Sequence, residues 1–191
     1  MRKEGFSAAI LQNLLLAQTG DSGVWPDNAT FRESWLHKPL YGPLSSPKLI
    51  HLYARLNQTF MSSKSEAVTF SEQPTVEHIM PQSWQDNWPL PNGSKGMDFM
   101  ELLGASESDP RAVASRKRDI YVQTLGNMTI LSHGLNAAQS NLGWKQKRPE
   151  MIKHSLLPIN QTLLQNNSWD EEKILKRGEE LFERAQQIWE K

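Results

Sequence analysis

The sequence predicts an α+β fold, mainly helical, in which two short strands are embedded among helices. Three observations carry this. Apolar residues recur at helical spacing in several separate stretches. Only two short runs, 75–80 and 128–131, read as strands. The segments between them are rich in Pro, Gly, Asn and Trp, which is turn chemistry rather than further sheet.

Residues 5–18 read as a helix, with Phe6, Ala9, Ile10, Leu14 and Ala17 on one face, stopped by Thr19-Gly20-Asp21-Ser22-Gly23. Arg2-Lys3 ahead of this apolar stretch has the charge order of a signal peptide. However, Gln12, Asn13 and Gln18 interrupt the stretch and no small-residue cleavage site follows. The Pro- and Trp-rich segment 24–46 is expected to be irregular. Ser46-Pro47 opens a helix, with Pro at its first position and Leu49, Ile50, Tyr53, Ala54 and Leu56 along one side. Ser62 to Ser65 is a loop. Residues 83–96 form a long turn-rich connection, of the kind that often carries function. Helices are expected near 97–104, over 110–121 with Pro110 at the start, and over 135–147. At the C-terminus, Ser168-Trp169-Asp170-Glu171 matches a capping box with Ser168 as the cap. Ile174, Leu175, Leu181, Phe182, Ala185, Ile188 and Trp189 then make one apolar face, with Glu172/Lys176 and Glu180/Arg184 as i,i+4 pairs on the other.

The chain has 191 residues and 38% hydrophobic content, enough for a core to which seven Trp add large buried areas. It has no cysteine, which excludes disulfides and Cys-ligated zinc. No apolar run approaches the length of a membrane span. Net charge is zero, but it is unevenly spread: residues 66–110 carry −7 and residues 111–153 carry +6. Such a split either builds a basic face beside an acidic one or lets the two blocks neutralise each other.

Glu77-His78 is the first chemical signal. Two ionisable groups interrupt an apolar strand-like run in Val76-Glu77-His78-Ile79-Met80-Pro81-Gln82. Side chains alternate along a strand, so one of the pair can hold a metal while the other faces a water. A histidine of ordinary pKa can serve as a base near neutral pH. Alone, such a pair is most simply a surface ion pair or a core histidine. It is followed, though, by Leu125-Gly126-Asn127-Met128-Thr129-Ile130-Leu131, then Asn136, Asn141 and Lys145.

That order resembles the HNH nucleases, whose site is a two-stranded hairpin running into a helix around one divalent metal. The run from Val76 to Ser83 is similar to Val-Asp-His-Ile-Val-Pro-Gln-Ser in the HNH domain of RNA-guided CRISPR nucleases. Asn127 and Asn136 stand nine apart, like the corresponding pair there. The closer resemblance is to the C-terminal domain of GmrSD-type modification-dependent restriction enzymes. That family shows Glu-His-Ile-x-Pro-Gln, then Leu-Gly-Asn-Leu-Thr-Leu-Leu, then Asn, Ser-Asn and Lys. Here these read Glu77 to Gln82, Leu125 to Leu131, Asn136, Ser140-Asn141 and Lys145. The closing segment from Trp169 to Trp189 is similar as well. The resemblance covers roughly residues 60–191. It implies a ββα-metal (HNH) core in 61–191, with 1–60 as a helical lead-in.

The resemblance also implies roles. Glu77 and Asn136 would ligate one Mg²⁺ or Mn²⁺, with Asn141 a rival for the second position. Hard cations of this kind suit carboxylate and amide oxygens plus waters. His78 would deprotonate the attacking water, and Asn127 would orient His78 or brace the loop before the second strand. Many HNH sites carry Asp before the histidine and His at the last position, so Glu77 and Asn136 are departures that suit the GmrSD-like branch. His133 is a further candidate near the site. Arg111, Arg116, Lys117, Arg118, Lys145, Lys147 and Arg148 could grip phosphates, Lys145 foremost because it matches the family motif. Trp84, Trp88, Trp144, Trp169 and Trp189 are expected in the core or a lid rather than as stacking platforms.

The expected activity is metal-dependent hydrolysis of DNA phosphodiester bonds, leaving 5′-phosphate and 3′-hydroxyl ends. The setting is a cytoplasmic, prokaryotic restriction or phage-defence system. An N-terminal ParB-like or nucleotide-hydrolysing domain, or a partner subunit outside this chain, would recognise modified DNA. The alternatives are a non-catalytic module binding DNA or a partner, and a nuclease directed at RNA.

Overall fold

The computed structural model of the protein describes residues 7–20, 23–64, 70, 72–139 and 141–189. Among the described residues the chain forms nine α-helices and one two-stranded sheet, the mainly helical α+β fold expected. Readings that rest on Arg2, Lys3, Phe6, Asp21, Ser22, Ser65 and Ser140 lie outside the described residues. The chain divides into two compact units, Met1–Ser34 and Trp35–Lys191.

In the first unit, α1 (Ala8–Leu16) starts at Ser7, whose hydroxyl accepts from the Ile10 N–H. Next comes α2 (Asn28–His37), a helix where irregular chain was expected. The prolines of 24–46 stand at 26, 39 and 43, so 28–37 is free of them. Asp27 caps its start, accepting from Thr30 N–H at 2.7 Å.

The second unit begins within the last turn of α2. Trp35 is buried there, donating to the Gly178 carbonyl at 3.1 Å and meeting the Phe182 ring edge-on. The helix α3 (Ser46–Thr59) follows as expected, with Leu49, Tyr53 and Leu56 fully buried. It lies against both strands and the C-terminal helix, which is why it belongs to this unit.

The strands β1 (Thr75–His78) and β2 (Met128–Leu131) pair antiparallel, Thr75 opposite Leu131 and His78 opposite Met128. The ladder stops short of residue 80 for a local reason. The Met80 N–H is taken by the Asn127 side chain at 2.9 Å, and Pro81 has no N–H to offer. Between the strands come α4 (Phe99–Gly104), held by a capping box at Asp98 and Glu101, and α5 (Pro110–Val122), capped by Asp109. The 83–96 connection is packed rather than free. Trp84 donates to Asp119 at 2.8 Å, and Arg118 Nη1 donates to the Trp88 and Pro89 carbonyls at 2.7 and 3.0 Å.

After β2 the expected single helix over 135–147 is two, α6 (His133–Gln139) and α7 (Trp144–His154). The break exposes the Asn141 and Leu142 carbonyls, and the 83–96 connection uses them. Asn87 Nδ2 donates to the first at 2.9 Å and Trp88 Nε1 to the second at 3.2 Å. A short helix not expected, α8 (Pro158–Leu164), starts on its own proline.

The last helix, α9 (Glu171–Ile188), is capped by Asp170, which accepts from Lys173 N–H at 3.0 Å. This corrects the expected cap at Ser168: the helix starts two residues later, and Glu171 is freed to pair with Arg118. Arg184, expected to pair with Glu180, donates to the Thr59 carbonyl at 2.6 Å and covers the Phe60 ring. A 3-10 turn, Leu125–Asn127, presses against α9 so closely that a Cβ on Gly126 would lie 2.1 Å from the Ile174 carbonyl oxygen. The core gathers Ile79, Met80, Trp84, Trp88, Trp144 and Trp169 into one cluster with Ile174, so these tryptophans are core residues. No helix among the described residues is long and apolar enough to cross a membrane.

Candidate active site

β1 ends on Glu77 and His78, whose side chains leave opposite faces of the strand. Both are buried. Glu77 meets Lys147 of α7: Nζ donates to Oε1 at 2.5 Å and to the His78 carbonyl at 3.0 Å. Lys147 is fully buried. Burial pushes the Glu77 carboxyl above the ordinary carboxylate range, and the Lys147 charge and hydrogen bond offset part of that rise. Burial likewise holds the Lys147 ammonium below its ordinary range against the pull of Glu77.

His78 faces the other way. Its Nε2 lies 3.1 Å from Gln123 Oε1, and the Tyr41 ring stands edge-on at 4.5 Å. Burial lowers its pKa to about 4, opposed by the Gln123 hydrogen bond and reinforced by the Lys147 charge. The imidazole is therefore neutral throughout the neutral pH range.

Asn127 braces the turn after β1. Its Oδ1 accepts from Met80 N–H and from Trp169 Nε1 at 3.0 Å, and its Nδ2 donates to the Met80 and Val122 carbonyls at 2.8 and 2.9 Å. All its bonds point to the loop and core, and none to the His78 ring. Asn136, on α6, donates from Nδ2 to Thr75 Oγ1 at 2.8 Å and to the Val76 carbonyl at 3.1 Å. Thr75 and Glu77 share one face of β1, so Asn136 and Lys147 both approach from that side. Asn141 lies exposed in the break between α6 and α7, and His133 is exposed at the start of α6.

Several cations proposed as phosphate grips are used inside the protein. Lys147 is sealed against Glu77, and Arg118 is buried in a pair with Glu171 at 2.5 Å. Arg148 donates to the Leu164 carbonyl at 2.7 Å and Arg116 to the Leu102 carbonyl at 3.2 Å. Arg111 holds Glu101 and the Lys95 and Gly96 carbonyls. Lys145 and Lys117 are exposed, the latter 5.8 Å from the Tyr121 ring centre. Both line a cleft of about 1160 Å³ with Trp88, Trp144, Trp169 and Glu171. That cleft includes none of Glu77, His78, Asn127 or Asn136.

Lys147, Gln123, Tyr41 and Thr75 are contacts of the site that the motif alone does not name. Lys147 had a legible signal: with Trp144 and Met151 it falls on the buried face of α7 at helical spacing. Gln123 and Tyr41 had none, because tertiary packing alone brings them to His78.

No group of three or more His, Cys, Asp or Glu side chains among the described residues is placed to hold a metal. The donors near Glu77 are one carboxylate and one amide. The Asn136 Oδ1 has no partner among the described residues, and Glu77 Oε2 has no side-chain partner. The only sealed, unpartnered side-chain N or O atoms among the described residues are Nε and Nη2 of Arg177, so the Asn136 Oδ1 reaches solvent, while the Glu77 carboxyl also takes a backbone hydrogen bond at His78. Carboxylate and amide oxygens are donor types that a hard divalent ion takes together with waters.

A family model described as GmrSD restriction endonucleases, C-terminal domain, matches residues 25–184. Among curated proteins and among solved structures there is no match.

Proposed function

Because the chain belongs to the family of GmrSD restriction endonuclease C-terminal domains, a nuclease family, we propose that it hydrolyses DNA phosphodiester bonds at an HNH-type, ββα-metal site. One observation carries the reading. The β1–β2 pair running into α6 gathers Glu77, His78, Asn127 and Asn136, and Asn136 keeps an oxygen open to solvent.

In this reading Glu77 and Asn136 hold a single Mg²⁺ or Mn²⁺, which when bound supplies charge stabilisation at the phosphate. His78 takes the proton of the attacking water. As a neutral imidazole it is in the form a base requires, though a pKa of about 4 makes it a weak one. An approaching phosphodiester anion favours the imidazolium, so the base strengthens as substrate arrives. Asn127 locks the turn after β1 and so keeps the end of the strand in place. Lys147 holds the Glu77 carboxylate in one orientation. The products would carry 5′-phosphate and 3′-hydroxyl ends. We place the domain as the effector of a modification-dependent restriction or phage-defence system in a prokaryotic cytoplasm. Target recognition would lie in a ParB-like or nucleotide-hydrolysing partner.

Purified protein with plasmid and Mg²⁺ or Mn²⁺ should nick or cut it, and His78→Ala should lose that activity. Equal cleavage by the variant would sink the mechanism. The Lys147–Glu77 pair favours one second reading, a non-catalytic module that binds DNA or a partner, since Glu77 already has a counter-charge. Calorimetric titration showing no divalent binding, with DNA affinity intact, would select it.

A further inference from the structure

We infer that Gln123 is a positioning residue that fixes the tautomer of His78, leaving Nδ1 as the bare nitrogen that receives the water's proton; this rests on the nuclease reading above. Gln123 Oε1 faces His78 Nε2 at 3.1 Å, and an amide oxygen only accepts, so Nε2 carries the hydrogen. The far side of that amide meets Gln82. Gln123 Nε2 donates to Gln82 Oε1 at 3.4 Å, and with that bond the oxygen is the end turned toward the ring. A reversed network would instead put the hydrogen on Nδ1.

The backbone of the same residue holds a second wall of the pocket. The Gln123 carbonyl accepts from Leu40 N–H at 2.9 Å and Tyr41 N–H at 3.2 Å. Those bonds set Tyr41 where its ring stands edge-on to the imidazole. Gln123 is itself fixed, because it is the C-cap of α5 and its N–H donates to the Ile120 carbonyl. One residue at a helix end therefore sets both the hydrogen-bond partner and the packing partner of His78. Gln82, of the Pro81-Gln82 pair, acts through it. A base whose lone pair must meet a water in line with a phosphate gains from both constraints, since small misplacements are costly.

The test is the tautomer itself. In ¹⁵N-labelled protein at pH 8, long-range ¹H–¹⁵N correlations should show His78 with a pyrrole-like Nε2 and a pyridine-like Nδ1. Gln123→Leu should give intermediate shifts at both nitrogens and lower kcat about tenfold or more with KM unchanged. Gln123→Glu, which keeps an acceptor, should restore the Nε2–H pattern and recover kcat over Gln123→Leu. A wild-type protein with hydrogen on Nδ1, or a Gln123→Leu protein with the wild-type pattern, overturns the inference. The wild-type spectrum decides even if the variant fails to fold. It also stands apart from the nuclease reading, because a protein that cuts nothing still reports its tautomer.

Discussion

At the scale of single residues, the buried pair of Glu77 and Lys147 makes a definite demand on the protein. Lys147→Met keeps the apolar stem and removes the charge, leaving a buried carboxyl without its partner. Breaking a buried ion pair in this way costs about 3–5 kcal/mol. The loss should depend on pH in a known direction. Burial already raises the Glu77 pKa in the folded protein, and both offsetting contributions from Lys147 vanish in the variant. A group whose folded pKa lies above its unfolded value adds stability that is complete below the unfolded value, in the ordinary carboxylate range. That stability is lost as pH rises through the folded value. Urea unfolding should therefore show a smaller gap between Lys147→Met and wild type at pH 4 than at pH 7. An equal gap at both would mean that the Glu77 carboxyl is not held in the buried pair. Glu77, His78, Asn127 and Asn136, the residues of the proposed site, stand out in the sequence as an ordered set of unusual residues. Lys147 reads as a cation for phosphate, although its spacing with Trp144 and Met151 marks the buried face of α7. A lysine on an apolar helix face points inward, and family spacing had drawn attention to the exposed Lys145 instead.

At the scale of elements, the junction of the 3-10 turn with α9 fixes where Asn127 sits. Gly126 is required there by close approach, since any Cβ meets the Ile174 carbonyl and lies 3.2 Å from the Gly178 nitrogen. Both of those are backbone atoms of a helix, so neither can turn aside as a side chain would. Gly126→Ala must push the turn away from α9, stretching the Arg177 bonds to the Gly126 and Met128 carbonyls. Overpacking of this kind costs about 1–3 kcal/mol. For a chain this long, that lowers Tm by roughly 2–4 °C per kcal/mol. Calorimetry showing an unchanged Tm would mean that the turn and helix are not in contact. The strands and most helices were legible as elements because period and proline placement are local. The α6–α7 break and the Asp170 cap were not. Each depends on a distant partner, the 83–96 connection for one and Arg118 for the other.

At the scale of the whole molecule, the uneven charge along the chain left two outcomes open, and side-chain pairing decides between them. Residues 111–153 contain eight Lys and Arg. Arg111, Arg116, Arg118, Lys147 and Arg148 donate to carboxylates or carbonyls of the protein. Lys117, Lys145 and Lys153 are the exposed lysines of this stretch. The acidic block is partly consumed in the same pairs, through Glu77 and Glu101. Non-specific DNA affinity comes mainly from releasing counterions at phosphates neutralised by Lys and Arg. Contact through the three exposed lysines of this stretch alone implies a slope of log K against log salt near −3, well short of the value near −10 of a strongly electrostatic binder. Fluorescence anisotropy with an unmodified duplex between 50 and 200 mM salt should give that shallow slope and weak binding. Lys145→Ala should reduce the slope by about one, while Arg148→Ala should leave it unchanged. A slope steeper than about −6 would mean that the internally bonded arginines turn outward to meet DNA. A shallow slope has a functional consequence. In the proposed reading, a nuclease that held DNA this loosely would depend on a recognition partner to concentrate it at its target, through effective concentration rather than its own affinity.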